Sequence, residues 1–214
     1  MLPPPDVIIV THVSELEISP MRVYVEGYSL DCNVIPTCRI GKSASINRNY
    51  GLSLAKAPVV IQVDDDVAGF YRGWWRDLIS PMEDPNVIFV SARLMTEEGS
   101  FAGMMYGSYN LDMPTEDVPQ APTACCAFRR DGLKFDESLT GSGFEDKLFC
   151  WQLRKRYTNG RILINNECRI IHRNEMKNQH GDYYEHNKKI YEEKTGLKIP
   201  MSLDDLDSTE MVIT

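Results

Sequence analysis

The chain has 214 residues, 43% of them hydrophobic and 25% charged, with a formal net charge of −8. That length suits one well-buried domain, or one and a small appendage, at an ordinary soluble composition. The negative charge argues against a nucleic-acid backbone or an anionic membrane as the main partner, and no apolar run approaches the roughly 20 residues of a membrane span.

Met1-Leu2-Pro3-Pro4-Pro5 lacks the basic and apolar regions of a signal peptide. The cysteines at 32, 38, 125, 126, 150 and 168 form neither CxxC pairs nor a dense framework. They read as reduced, mostly buried thiols of a cytoplasmic protein, with spacing unsuited to zinc.

Asp6 to Thr11 reads as a short buried strand running into His12, and a helix is expected within Ser14 to Leu30. Cys32 to Pro36 is a second short strand, followed by Thr37, Cys38 and Arg39. Lys42 to Lys56 is helical, with Ile46, Tyr50, Leu52, Leu54 and Ala55 supplying apolar surface, and Ala57-Pro58 ends it. Val59-Val60-Ile61-Gln62-Val63 is then an almost continuous apolar run, which fits a strand covered on both faces. Phe70, Trp74, Leu78 and Met82 recur every four residues, with Tyr71, Trp75 and Ile79 one behind, giving a wide apolar helix face that Pro81 and Pro85 close. On that face Trp74 and Trp75 read as core in preference to a sugar platform. Asn86 to Ala92 is another strand. The alternation is that of a nucleotide-binding α/β layout, although neither GxGxxG nor GxxxxGK[ST] is present.

Periodicity vanishes between Met95 and Pro119, a length that suits a binding loop or lid, or else a surface loop. Ala121 to Phe128 resumes as a strand. Phe135-Asp136-Glu137 leads to a glycine-flanked loop and a helix opening at Gly141-Ser142-Gly143-Phe144-Glu145-Asp146, where Ser142 and Glu145 have the spacing of a capping box. Arg161 to His172 reads as a hairpin turning at Asn165-Asn166, with His172 at a strand end. Tyr183 to Leu197 is a last, highly charged helix. Residues 1–199 are expected to form a single domain and 200–214 an acidic tail or the start of a linker.

The chemistry concentrates where the apolar strand meets Asp64-Asp65-Asp66. In open α/β sheets ligands bind at the C-terminal ends of strands. Adjacent carboxylates repel, and a hard divalent ion shared with substrate phosphates relieves that conflict. The bland reading is an acidic turn with ordinary capping aspartates. Asp146, in the first turn of its helix, is favoured in its ionised form by the macrodipole; that suits a general base and equally a dipole partner. His172 reads as a metal or phosphate ligand, or as a hydrogen-bonded structural histidine.

In order along residues 6 to 173, these segments resemble the family-2-like glycosyltransferases of the GT-A fold. Ser45-Ile-Asn-Arg-Asn-Tyr-Gly51 is like the family's "ARNxG" segment, Asp64-Asp65-Asp66 like its "DXD" element, and Gly143-Phe144-Glu145-Asp146 like its "GxED" acceptor motif. The Trp74 to Met82 helix, the strand after it and Phe135-Asp136-Glu137 also fit. The N-terminal half is similar to chlorella-virus members that glycosylate capsid protein. The resemblance implies an α/β fold with a mostly parallel mixed sheet flanked by helices, and inverting transfer of a hexose or deoxyhexose, glucose or L-rhamnose favoured, from a UDP-sugar to a glycan or glycoprotein hydroxyl. It implies Mn²⁺, or Mg²⁺ in its place, held by Asp66 and His172, with Asp146 as base. Thr11, Asp64 and Asp65 would meet the nucleotide sugar. The family's acidic pair that reads the base is missing, so Arg39 or Arg48 is expected to serve instead. Two other readings stand beside this one: a catalytically silent nucleotide-sugar-binding module of a larger protein, and a sugar nucleotidyltransferase, whose glycine-rich N-terminal phosphate loop is absent.

Overall fold

A computed structural model describes residues 2–11, 15–38, 42–100, 114–141, 143–173 and 181–198. Its elements are β1 (Asp6–Thr11), α1 (Glu15–Tyr28), β2 (Asn33–Cys38), α2 (Ala44–Leu54), β3 (Val59–Asp64), β4 (Val67–Ala68), α3 (Trp74–Ile79), β5 (Val87–Met95), β6 (Thr115–Asp117), β7 (Cys125–Arg129), α4 (Glu145–Arg156), β8 (Arg161–His172) and α5 (Gly181–Thr195). The sheet order is β2-β1-β3-β7-β5-β8-β4, with β6 beside β8. β1 runs parallel to β2 and β3, and β5 parallel to β8. β7 is antiparallel to both β3 and β5, so it joins two parallel blocks that point the same way. The C-terminal ends of β1, β3, β5 and β8 therefore share one edge of the sheet.

Strand β3 is covered on both sides as its composition predicts, with Val59 to Val63 all buried. Ile61 and Val63 pack with Val7, Ile9, Trp74 and Leu78 on one face. Val60 packs with Ile8, Val10 and Ala55 on the other, under α2. Each fully buried Val or Ile side chain stabilises the sheet by about 1.5–3 kcal/mol. Because strand side chains alternate, Asp64 follows Val60 and Gln62 onto the α2 face. Helix α2 lies close against β1: a Cβ built on Gly51 would sit 2.3 Å from Ile8 Cγ2. The glycine of the 45–51 segment is thus a packing requirement.

A third group of aromatic side chains fills the space beneath α4. Phe135 stacks on Phe149 with ring centroids 4.0 Å apart, and Phe128 meets Phe149 edge-on at 5.0 Å. Trp74 and Trp75 are buried, as their helix face predicts.

Three local expectations need correcting. The Trp74 to Met82 helix is shorter: α3 begins at Trp74, after Gly73 in a left-handed conformation, but gives way at Ser80–Glu83 to a 3-10 turn. The expected hairpin at 161–172 is one continuous strand. Between Ala92 and Arg93 its partner β5 advances one residue while β8 advances from Asn165 to Arg169, leaving 166–168 as a bulge. Asn165 and Asn166 look like a turn because their side chains satisfy backbone groups, but here they serve the bulge. Asn165 Nδ2 donates to Asp77 O at 2.8 Å, and Arg93 Nε donates to Asn166 Oδ1 at 2.6 Å. Finally, the excursion over 95–119 includes β6, which pairs with β8. Much of that proposed lid, residues 101–113, lies outside the described residues, as do Arg39, Ser142 and the 200–214 tail.

Candidate functional site

The shared sheet edge gathers the acids. Asp64 ends β3, and Asp65 and Asp66 form the turn into β4. Asp65 is tied back to the first strand: Thr11 Oγ1 donates to Asp65 Oδ2 at 2.5 Å. Asp66 faces β8, because Val67 pairs with His172. His172 Nε2 lies 3.3 Å from Asp66 Oδ2, with the two side chains only 16% and 17% exposed. The backbone N–H of Arg173 donates to Asp66 O at 3.0 Å, fixing the turn against the strand end.

Asp64 turns instead toward α2. Arg48 Nη2 donates to both of its carboxylate oxygens, at 2.9 and 3.1 Å. The Arg48 Nη1 group donates to Glu145 Oε1 at 3.3 Å, so one guanidinium spans the DXD-like turn and the start of α4. Arg48 is buried, and its positive charge is held firmly by those two carboxylates despite the cost of burial. Burial pushes the Asp64 carboxyl up to about 6; Arg48 pulls it back toward ionisation, and the neighbouring charge of Asp66 adds to the rise. A cation at this edge would favour the ionised form of both acids.

Helix α4 does not open with the capping box. Its N-cap is Phe144, in a left-handed conformation at φ 69°, and Glu145 is the first helical residue. Glu145 Oε2 accepts from the backbone N–H of Gly143 at 2.5 Å, while Oε1 faces Arg48. Glu145 thus reaches backward as a capping acid does, but from the first helical position, which leaves its other oxygen for Arg48. Asp146 accepts only a local bond among those described, from Lys147 N at 2.7 Å. Burial pushes its carboxyl up to about 6, with the Glu145 charge adding to the rise and Lys147 opposing it.

Asp66 and His172 form a carboxylate–imidazole pair at the end of two paired strands. That donor set suits Mn²⁺ better than an ion demanding oxygen alone. No group of three or more His, Cys, Asp and Glu residues gathers among the described residues, so further ligands would come from water and substrate phosphates. The residues present fit such an ion.

Of the candidate residues, Asp64, Asp65, Asp66, Thr11, His172, Arg48 and Asp146 fall in this connected region. Thr11 and Arg48 are directed at acids of the site itself: both are buried, and both hold carboxylates in place. Sequence reasoning gave Glu145 only a capping role and passed over Asn49 and Asn187. Asn49 is the second asparagine of the "ARNxG"-like segment. Its Nδ2 donates to Phe135 O and Glu137 Oε1, both at 2.8 Å, and its Oδ1 accepts from Phe135 N at 2.9 Å. The two asparagines that flank Arg48 in that helix were the available signal.

No protein-family model matches the chain, and no curated protein matches it. Solved structures do. GalNAc-T7 with UDP, GalNAc and Mn²⁺ superposes with a TM-score of 0.55 at 16% identity, over 79% of this chain and 37% of that one. TarS from S. aureus superposes with a TM-score of 0.55 at 17% identity, over 89% of this chain and 34% of its own. The chain spans about a third of the length of these structures. At such identities the likeness defines the fold, and the fold is GT-A.

Proposed function

We propose that the chain is a metal-dependent, inverting glycosyltransferase that moves a hexose or deoxyhexose from a UDP-sugar to a hydroxyl of a glycan acceptor. The observation that carries this reading is the Asp66–His172 pair, at the sheet edge where α/β folds bind ligands. Asp146 stands at a helix start joined to the same edge through Glu145, Arg48 and Asp64. That the GalNAc-T7 structure holds UDP and Mn²⁺ supports the choice of donor and ion.

In this reading Asp66 and His172 hold Mn²⁺, or Mg²⁺ in its place. When bound, the ion supplies Lewis-acid neutralisation of the diphosphate leaving group. Thr11 keeps Asp65 at the edge, and Asp64 and Asp65 meet the nucleotide sugar. The acceptor oxygen forms its bond to the anomeric carbon as the bond to the diphosphate breaks, and its proton passes to Asp146. Holding both substrates in line contributes much of the remaining rate. Attack from the side opposite the leaving group gives single displacement with inversion.

We favour glucose or L-rhamnose as the transferred sugar and a protein-borne glycan, such as that of a viral capsid protein, as acceptor. The free thiols among the described residues (Cys32, Cys125, Cys126, Cys150 and Cys168) suit a reducing compartment, so we place the reaction in the cytoplasm. No helix among the described residues is long and apolar enough to cross a membrane.

Calorimetric titration of a panel of nucleotide sugars with and without Mn²⁺ tests the proposal. Binding of at least one uridine donor should require the ion and disappear in Asp66→Ala. Metal-independent binding, or none across the panel, overturns it.

A further inference from the structure

We infer that Asn187, on α5, is a positioning residue that sets the backbone carrying Glu145 and Asp146; the inference rests on the glycosyltransferase reading above. Asn187 is completely buried. A buried amide must satisfy both its donor and its acceptor, or it destabilises the fold. Asn187 directs both at the loop that enters α4. Its Nδ2 donates to Thr140 O at 2.8 Å and Gly143 O at 3.1 Å, and its Oδ1 accepts from Thr140 N at 3.0 Å. The residue after Gly143 is Phe144, whose left-handed backbone turns the chain into α4.

The surrounding contacts show that this loop is held on several sides. Gly141 O accepts from Ala44 N at 3.2 Å, joining the loop to the start of α2. A Cβ on Gly141 would lie 2.3 Å from the Tyr183 ring, so α5 packs directly on the loop backbone. Phe144 sits against Tyr184 and Tyr191, with centroids 5.2 and 5.6 Å apart. Lys194, in the last turn of α5, pairs with Asp136 at the other end of the same stretch. Asn187 is the central bond of this brace. It is the amide that fixes the carbonyl of Gly143, whose own N–H is held by Glu145. A shift there is passed to Glu145 and Arg48, and to the direction of Asp146.

Asn187→Asp keeps size and acceptor but removes both donated bonds; Asn187→Ala removes all of them. The variants and wild type would be compared by hydrogen exchange, by calorimetry with UDP and Mn²⁺, and by steady-state transfer with the donor identified from the panel. The positioning role requires turnover to fall on the order of tenfold to a hundredfold while UDP affinity stays within about twofold. It also requires faster exchange confined to residues 140–147. Unchanged turnover, or turnover and UDP affinity falling together with the melting temperature, overturns it. A wild-type protein that shows no Mn²⁺-dependent UDP binding sinks the glycosyltransferase reading instead. In that case the exchange experiment alone decides whether Asn187 holds the loop, and unaltered exchange at 140–147 refutes the clamp.

Discussion

The two ends of the candidate site are built in different ways. At the proposed donor end, Asp64, Asp65, Asp66 and His172 sit on or next to strands whose register is set by ladders of backbone hydrogen bonds and by full burial of Val59 to Val63. At the proposed base end, Asp146 rides on a helix start held by the Asn187 side-chain amide, a glycine and a left-handed residue. Strand register cannot slip without turning every core residue outward, so the donor end is rigid by construction. A loop held by a few side-chain bonds can be loosened by one substitution. Arg48 is the contact that spans the two ends.

Asp146→Asn breaks only the base end. Transfer should fall by a factor on the order of 10² to 10⁴, the usual contribution of a positioned base, while calorimetry with UDP and Mn²⁺ shows donor binding intact. Transfer left untouched would make Asp146 a helix-dipole partner and nothing more. Arg48→Ala removes the link and strands Asp64 and Glu145 as partly buried, unpaired carboxylates. Loss of one partner of a buried pair costs about 3–5 kcal/mol, read as a lower denaturant midpoint, with both donor binding and transfer impaired. An effect on one end alone would show that the ends are independent.

Asp66→Ala and His172→Ala break the donor end. Partners outside the ligand shell already change metal affinity roughly 10- to 100-fold, so Mn²⁺-dependent UDP affinity should fall by at least that much in titration. The pH profile sharpens the comparison. A base must be ionised, and burial raises the Asp146 carboxyl to about 6, so kcat/KM should fall as pH drops through about 6, at least tenfold for each further unit; Asp146→Asn should remove its share of that limb and leave the share of Asp64, which burial raises to the same range. The same raised value means the folded state holds its proton more tightly than the unfolded chain does. The acid therefore weakens the fold in full above about pH 6 and progressively less below it, the penalty being gone only once the pH reaches the ordinary carboxylate range. Asp146→Asn should accordingly melt at a higher temperature than wild type at pH 7.5, with a smaller advantage at pH 5. The smallest effect is expected from Thr11→Ala, which removes one hydrogen bond to a carboxylate and should cost about 1.5 kcal/mol of stability, measured as a shifted denaturant midpoint at constant slope.

Much of the donor end was legible from residues alone. The run from Val59 to Val63 could satisfy its apolar side chains only between two layers, and a strand so covered delivers Asp64 to Asp66 at its exposed tip. Burial of Trp74 and Trp75 followed from their helix face in the same way. Period and composition carry such information because each residue's preference agrees with its neighbours'. The base end was legible only as a motif. Ser142 and Glu145 have the spacing of a capping box, yet the helix starts at Glu145 after a left-handed Phe144, and its carboxylate is shared between Gly143 N–H and Arg48, almost a hundred residues earlier in the chain.

What the sequence by itself determined is the layered sheet and the acids at its edge, since hydrophobic alternation and burial act through nearest neighbours along the chain. What only the tertiary structure decided is where the polar side chains are aimed: Arg48 toward Asp64 and Glu145, Asn49 toward Phe135 and Glu137, Asn187 toward Thr140 and Gly143, and Asn165 toward Asp77 on α3 where a hairpin turn was expected. A hydrogen bond depends on the position of a partner to within a few tenths of an ångström, and for these groups that partner arrives from a distant part of the chain.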